Sequence, residues 1–250
     1  MTTFLDYERP VALTDIAPDG RIGLCALSTD YCIEQDLRRM IPDTVEIFTN
    51  RIAYRNPLTV ENLRAMEGDI ERTAENILPG QGFDVGIYGC TSGTAAIGFD
   101  RIRNLIQRSN PGALVTTPLH ALVAATTALN ISSLSVLTPY NREMNESVVE
   151  NLRENGIDVI NLTGLGFEVD IDATKVPLDT LRQLAVQTFN QSADALFISC
   201  TNFRASLVVD DIEKQIGKPV LSSNQCVAWH ALKLLDCDFS TQGFGSLMTI

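Results

Sequence analysis

Residues 88–98 (YGCTSGTAAIG) and 198–208 (ISCTNFRASLV) each set a cysteine and a threonine directly behind an apolar, β-like run. Around the first corner the chain reads strand, Cys-Thr, helix, Gly or Pro turn, strand with two small hydroxyl residues, helix: GCTSGTAAIGFDRIRNLIQRSNPGALVTTPLHALVAATTAL. The same order returns in SCTNFRASLVVDDIEKQIGKPVLSSNQCVAWHALKLL, with Cys90 and Cys200 set 110 residues apart. Upstream of each, RIGLCALSTDY and SLSVLTPYNRE correspond as a first strand running into a polar loop. A repeat of about half the chain predicts two similar α/β lobes facing each other across a pseudo-twofold axis.

Periodicity along the rest of the chain agrees. Short β-branched or apolar runs occur at 21–28, 44–52, 83–90, 113–117, 134–140, 157–164, 194–200 and 219–223, and read as strands. Amphipathic runs at 59–78, 94–109, 144–156, 178–192 and 204–216 read as helices between them. Alternation of this kind belongs to parallel sheets built from βα units. The expected division is an N-terminal extension (1–19), an N-terminal lobe (20–130) and a C-terminal lobe (131–250). Ligands of open parallel sheets bind outside the carboxyl ends of the strands, and both cysteines sit at such ends. Lobes that face each other would aim two thiols into one cleft.

Composition narrows the function classes. With 45% hydrophobic and 20% charged residues in 250, the chain is a globular protein with a full core and no long disordered region. A net charge of -12 argues against a nucleic-acid surface, which needs a basic face. No apolar run approaches the ~20 residues that cross a bilayer, and the first twenty residues lack a signal-peptide pattern, so no membrane association and a cytoplasmic location are expected. The six cysteines show no CxxC spacing and are expected as reduced thiols; a Cys90–Cys200 disulfide is disfavoured in a reducing compartment. With His120 and His230 as the only histidines, neither near a ligand-spaced cluster, no metal is expected.

A cysteine opening a helix meets unpaired backbone N–H groups and the positive end of the helix dipole, so a lowered thiol pKa is expected at both corners. The residues that follow, Thr91, Ser92 and Gly93 in one corner and Thr201 and Asn202 in the other, offer hydroxyl, amide and backbone donors able to hold a carboxylate. One buried cysteine ending a strand reads as apolar filler. Two at matching positions of a repeat point to chemistry. Cys25, Cys32, Cys226 and Cys237 keep the filler reading, and His120 and His230 read as structural.

These motifs resemble the Asp/Glu racemase superfamily. GCTSG (89–93), SCTN (199–202), TPY (138–140) and GKPVLSSNQCVAWHAL (217–232) are similar to its branch of maleate cis–trans isomerases and arylmalonate decarboxylases. RIGLCALSTDY with KPVLSSNQ is most similar to the ectoine-utilisation proteins of that branch. The resemblance implies two Rossmann-like lobes, no cofactor, and an active site between the lobes. It implies Cys90 and Cys200 as the reactive pair, Thr91, Ser92 and Thr201 as carboxylate binders, and Tyr140 as a phenol donor. Racemases of the superfamily use one cysteine as base and the other as acid; maleate isomerases add a thiolate to the alkene. Arylmalonate decarboxylases keep only the second cysteine, a pattern from which this chain departs. Family members are often oligomers, and a homo-oligomer is expected.

A second departure concerns charge. Where the maleate isomerases read roughly PSSNT, this chain reads LSTDY, which puts Asp30 at a substrate-binding Asn; a later Asn aligns with Asp170. A carboxylate there repels a dianion and favours a cation. The expected substrate is therefore a small amino-carboxylate with a positively charged nitrogen, such as an amino acid or the cyclic amidine ectoine, acted on by a two-thiol racemase or isomerase. The competing readings are a maleate-type isomerase or decarboxylase, and a non-catalytic binding protein on the same fold. Both aspartates also read as solvated loop residues or helix caps.

Overall fold

The computed structural model describes residues 2–250. Eight strands form two four-stranded sheets. The first contains β1 (Gly20–Leu27), β2 (Val45–Ile52), β3 (Val85–Gly89) and β4 (Leu114–Thr116) in the order β2-β1-β3-β4. The second contains β5 (Ser133–Thr138), β6 (Asp158–Gly164), β7 (Ala195–Ile198) and β8 (Val220–Ser222) in the order β6-β5-β7-β8. All pairs are parallel, and the second sheet repeats the first strand for strand. Every run read as a strand is one. The central strands β3 and β7 are buried along their whole length, because helices cover both faces of a parallel sheet and leave no polar side.

The helices are α1 (Ile33–Met40), α2 (Val60–Ala65), α3 (Glu67–Glu75), α4 (Thr91–Ile97), α5 (Phe99–Ser109), α6 (Pro118–Ala128), α7 (Arg142–Glu154), α8 (Leu178–Thr188), α9 (Val209–Ile216) and α10 (Ser223–Leu234). Three expectations change. The run at 59–78 divides at Met66 into α2 and α3. The run at 94–109 extends back to Thr91 and divides at Gly98, whose φ of 91° no side-chain-bearing residue adopts easily, giving α4 and α5. The run at 204–216 opens as a 3₁₀ turn at Ala205–Leu207 and becomes helical only at Val209. The second Cys-Thr corner therefore opens no α-helix. Asn202 explains the delay: its side chain is spent on the loop after β1, accepting from the Tyr31 N–H at 2.9 Å and donating to the Thr29 carbonyl at 3.2 Å, which holds the chain off a helical path.

Helix α1 had no place among the helical runs, although it is amphipathic through Ile33, Leu37 and Met40, with Glu34 and Asp36 in its first turn and Arg38 and Arg39 in its last. Helix α10 has the most unusual position. Residues 223–232 are all buried, and the helix packs on α6, α1, β3 and β4 of the first lobe as well as on β8 of its own. It is a shared central element, begun by a capping box in which Ser222 and Gln225 satisfy each other.

Candidate active site

Both cysteines lie at carboxyl ends of central strands, Cys90 after β3 and Cys200 after β7, and are only 4% and 5% exposed. Cys90 caps α4: its Sγ accepts from the Gly93 N–H at 3.2 Å and lies 3.6 Å from Ser92 Oγ. Gly93 is demanded by crowding, since a Cβ there would collide with the Tyr88 hydroxyl and stand 3.0 Å from Cys90 Sγ. At the second corner the Asn202 N–H donates to Cys200 Sγ at 3.3 Å. Cys200 itself has φ of 127°, a conformation that costs a non-glycine residue about 1–3 kcal/mol.

The corners are sewn together across the lobes. Thr91 Oγ1 donates to Ser223 Oγ at 2.9 Å, and the same oxygen accepts from the Cys200 N–H at 2.9 Å. Thr201 Oγ1 donates to the Gly89 carbonyl at 3.4 Å. These bonds correct the expectation that the threonine hydroxyls stand free for a carboxylate, because both are committed to partners inside the protein. What stays available at the first corner are the Thr91 and Ser92 amides, which precede the first intrahelical acceptor of α4. Tyr140, 2% exposed at the end of β5, lies beside Cys200.

The two aspartates converge as well. Asp30 is 4% exposed; its Oδ1 accepts from the N–H groups of Cys32 and Ile33 at 2.7 and 2.9 Å, which anchors the start of α1, while its buried Oδ2 receives no well-formed hydrogen bond, the nearby Thr201 hydroxyl being directed to the Gly89 carbonyl. It is thus both a cap and a carboxylate with a spare oxygen. Asp170 comes from a 3₁₀ turn of the second lobe and is partly buried. Its Oδ2 accepts from Thr29 Oγ1 at 2.6 Å and from Asn202 Nδ2 at 3.0 Å, so it locks onto the loop after β1.

Electrostatics overturn one expectation. No helix dipole lowers these thiols: burial pushes Cys90 up to about 12 against the donors at Ser92 and Gly93, and burial with the nearby Asp170 charge drives Cys200 well above its ordinary value. The reason is first that both sulfurs are buried, which disfavours the charged form, and then that the Asp170 and Asp30 charges add to it. Asp170 is itself raised to about 6 by burial and, against its Thr29 hydrogen bond, by Asp30. Burial likewise holds Asp30 above the usual carboxylate range. Both thiols are neutral at pH 7 in the protein alone, and the site is rich in negative charge.

The sequence reading passed over Tyr54 and Ser223. Tyr54 follows β2, is 7% exposed, and has a hydroxyl with no partner; burial, then Cys90, Asp170 and Cys200, raise its phenol. Its place just beyond a strand's carboxyl end was the available signal. His120 and His230 lie elsewhere: His120 stacks on Phe99, and His230 Nδ1 is 2.8 Å from Thr116 Oγ1, with burial lowering His230 to about 4. Among the described residues no group of three potential ligands could hold a metal, and no helix is long and apolar enough to cross a membrane. A surface groove of about 800 Å³ between α7 and β6 reaches Tyr140 but neither cysteine.

Comparison with known proteins gives consistent results. The sequence model of the arylmalonate decarboxylase family matches residues 98–248. A maleate isomerase of Nocardia farcinica is 27% identical over 239 residues, covering 91% of this chain and 95% of that protein. The crystal structure of the maleate isomerase Iso from Pseudomonas putida S16 superposes with a TM-score of 0.84 at 22% identity, covering 92% of this chain and 98% of that one. A cysteine-to-serine mutant of the Nocardia farcinica maleate cis-trans isomerase, with a covalently bound succinylcysteine intermediate, superposes with a TM-score of 0.82 at 24% identity, covering 91% and 97%.

Proposed function

Because the chain belongs to the arylmalonate decarboxylase family, we propose that it is a cofactor-independent isomerase in which Cys90 and Cys200 act as a pair on a small carboxylate. The observation that carries this reading is that the cysteines of two equivalent corners, one from each lobe, are tied through a single hydroxyl and share the fields of the same two aspartates. Binding alone would not call for a thiol at both corners. The N. farcinica relative's succinylcysteine intermediate supports sulfur as the reacting atom in this fold.

The substrate class follows from charge. Asp30 presents an unpartnered buried oxygen and raises Asp170, and both aspartates add to the burial that raises the two thiols. A substrate nitrogen carrying positive charge satisfies Asp30 and offsets the aspartate repulsion that adds to burial in keeping Cys90 protonated. Cys90 then loses its proton more readily than Cys200, since each thiol has two donors that favour its thiolate but the Asp170 charge weighs more heavily on Cys200. In this reaction the Cys90 thiolate takes the α-proton and the electron pair passes into the carboxylate. The Cys200 thiol delivers its proton to the opposite face, leaving a Cys90 thiol and a Cys200 thiolate. The Thr91 and Ser92 amides and the Tyr140 phenol meet the developing charge on the carboxylate. Amino acids and cyclic amidines such as ectoine have the required pairing of charges. Neutral buried thiols fit a reducing compartment such as the cytoplasm.

A second reading is favoured by the relatives' activity: cis–trans isomerisation of maleate. There the thiolate adds to the alkene, the single bond rotates, and elimination releases fumarate and thiolate. Against it stand the two aspartates, each opposing a second substrate carboxylate by about 4 kcal/mol at 4 Å and an effective dielectric of 20. The test is proton NMR of the purified chain in deuterium oxide with a single enantiomer of ectoine or an acidic amino acid, and separately with maleate. Wash-in of α-deuterium with loss of optical rotation is the expected result, abolished as net inversion in C90S and C200S. Fumarate formation without any exchange selects the second reading. D30N should weaken a cationic substrate at least tenfold and improve binding of a dianion.

A further inference from the structure

We propose that Ser223 is a positioning residue that sets the two reacting sulfurs against each other. The proposal deepens the two-cysteine reading and rests on it. Its oxygen is the point where the halves of the site meet: it accepts the Thr91 hydroxyl from the first corner and the Cys200 N–H from the second, both at 2.9 Å, and the residue is fully buried. Each bond fixes a residue adjoining or containing a reactive thiol. Thr91 is the first residue of α4, directly after Cys90, and the Cys200 amide belongs to the one backbone unit of the site held at a left-handed φ. Such a conformation persists only where the surroundings over-determine it, and the Ser223 acceptor is the bond that engages the Cys200 amide.

The internal repeat argues against a role in starting the helix. Aligned by their caps, Thr117 of α6 matches Ser222 of α10, each accepting from the N–H three residues on. The residue after the cap is Pro118 in the first lobe and Ser223 in the second. Proline suits the first position of a helix and has no hydroxyl. Starting this helix therefore does not require Ser223, and its oxygen answers to the junction. The neighbouring residue steadies it: Asn224 Nδ2 donates to the Thr201 carbonyl and to the buried Asp36 of α1, both at 2.8 Å, which holds the α10 start against both lobes.

The experiment is site-resolved labelling of the full chain with iodoacetamide, read by peptide mass spectrometry, in wild type, S223A, S223T and S222A. Cys237, half-exposed, is the reference for reagent activity, and Cys226, buried within α10, reports general loosening. In S223A the Cys200 rate should rise at least fivefold and the Cys90 rate should change, with Cys226 unmoved. S223T, which keeps the oxygen, should label like wild type, and S222A, which removes only the helix cap, should leave both corners unchanged. On a substrate that wild type turns over, S223A should lose ten- to a hundredfold in kcat with KM within threefold. Cys90 and Cys200 rates within twofold of wild type in S223A would overturn the proposal, as would a parallel rise at Cys226 or an S223T that behaves like S223A. Labelling needs no turnover, so a wrong substrate class would leave this result standing.

Discussion

Asp170 shows how much a single carboxylate can reveal about this site. Its raised value of about 6 means that the folded protein prefers it protonated. The unfolded chain releases that proton near the ordinary carboxylate value. Between those two pH values the folded state binds more protons, so stability falls as pH rises and the full penalty is present above pH 6. Replacing Asp170 by Asn, which can still accept from Thr29, should raise stability by about 1–3 kcal/mol at pH 8 and leave it unchanged at pH 3.5. Urea unfolding at the two pH values measures this. A natural sequence that keeps such a charge carries it for function, and the acid limb of kcat/KM for a cationic substrate should lie near pH 6 and vanish in D170N. That this position carries a carboxylate was visible from the residues. Its bonds to Thr29, across the lobes, and to Asn202, within its own, were not, because they join segments 141 and 32 residues distant.

At the scale of elements, the repeat extends to the strand starts. Asp84 and Asp194 each stand six residues before their cysteine, and each accepts backbone N–H groups at the head of the neighbouring first strand: Arg21 in one lobe, Ser132 and Ser133 in the other. The Ser132 and Ser133 backbone and hydroxyl donors hold Asp194 down to about 2. Its contribution is present above the ordinary carboxylate range and is lost as pH falls towards 2. D194N should therefore lower the thermal midpoint at pH 7 and match wild type at pH 2. Chemical denaturation should show the same order. The first corner makes a sharper demand: G93A should displace Tyr88 and Cys90 together, cutting turnover at least tenfold while far-UV circular dichroism stays unchanged. The strands were all legible because their apolar runs are short and bounded by turns. The helix breaks were less so, since Gly98 is overridden by good helix formers on either side and the delay after Cys200 depends on a side chain bonded to the other lobe.

For the molecule as a whole, the N-terminal segment is the exposed anomaly. Phe4, Leu5, Tyr7, Val11, Leu13 and Ile16 are 67–90% exposed, whereas Ala17 is buried and Arg21 pairs with Asp15 at 3.2 Å to hold the root of the arm. Six large apolar side chains in water are costly. A second copy of the chain that covers them is the reading consistent with the expected homo-oligomer. Deleting residues 2–16 should convert a dimer or higher oligomer to monomer in light scattering, with the labelling rates of Cys90 and Cys200 unchanged. A wild-type chain that is monomeric at all concentrations would remove that reading.

From sequence alone came the doubled α/β plan, the two cysteine corners and the excess of carboxylates, because each is written locally in a period, a turn or a residue type. Tertiary structure alone decided the state of the thiols, raised where a helix start would have lowered them, since burial and facing charges come from segments far apart along the chain. It also decided that the corners meet through Ser223: hydrogen bonding reads distance in space, and only the folding of α10 between the lobes brings that oxygen to both.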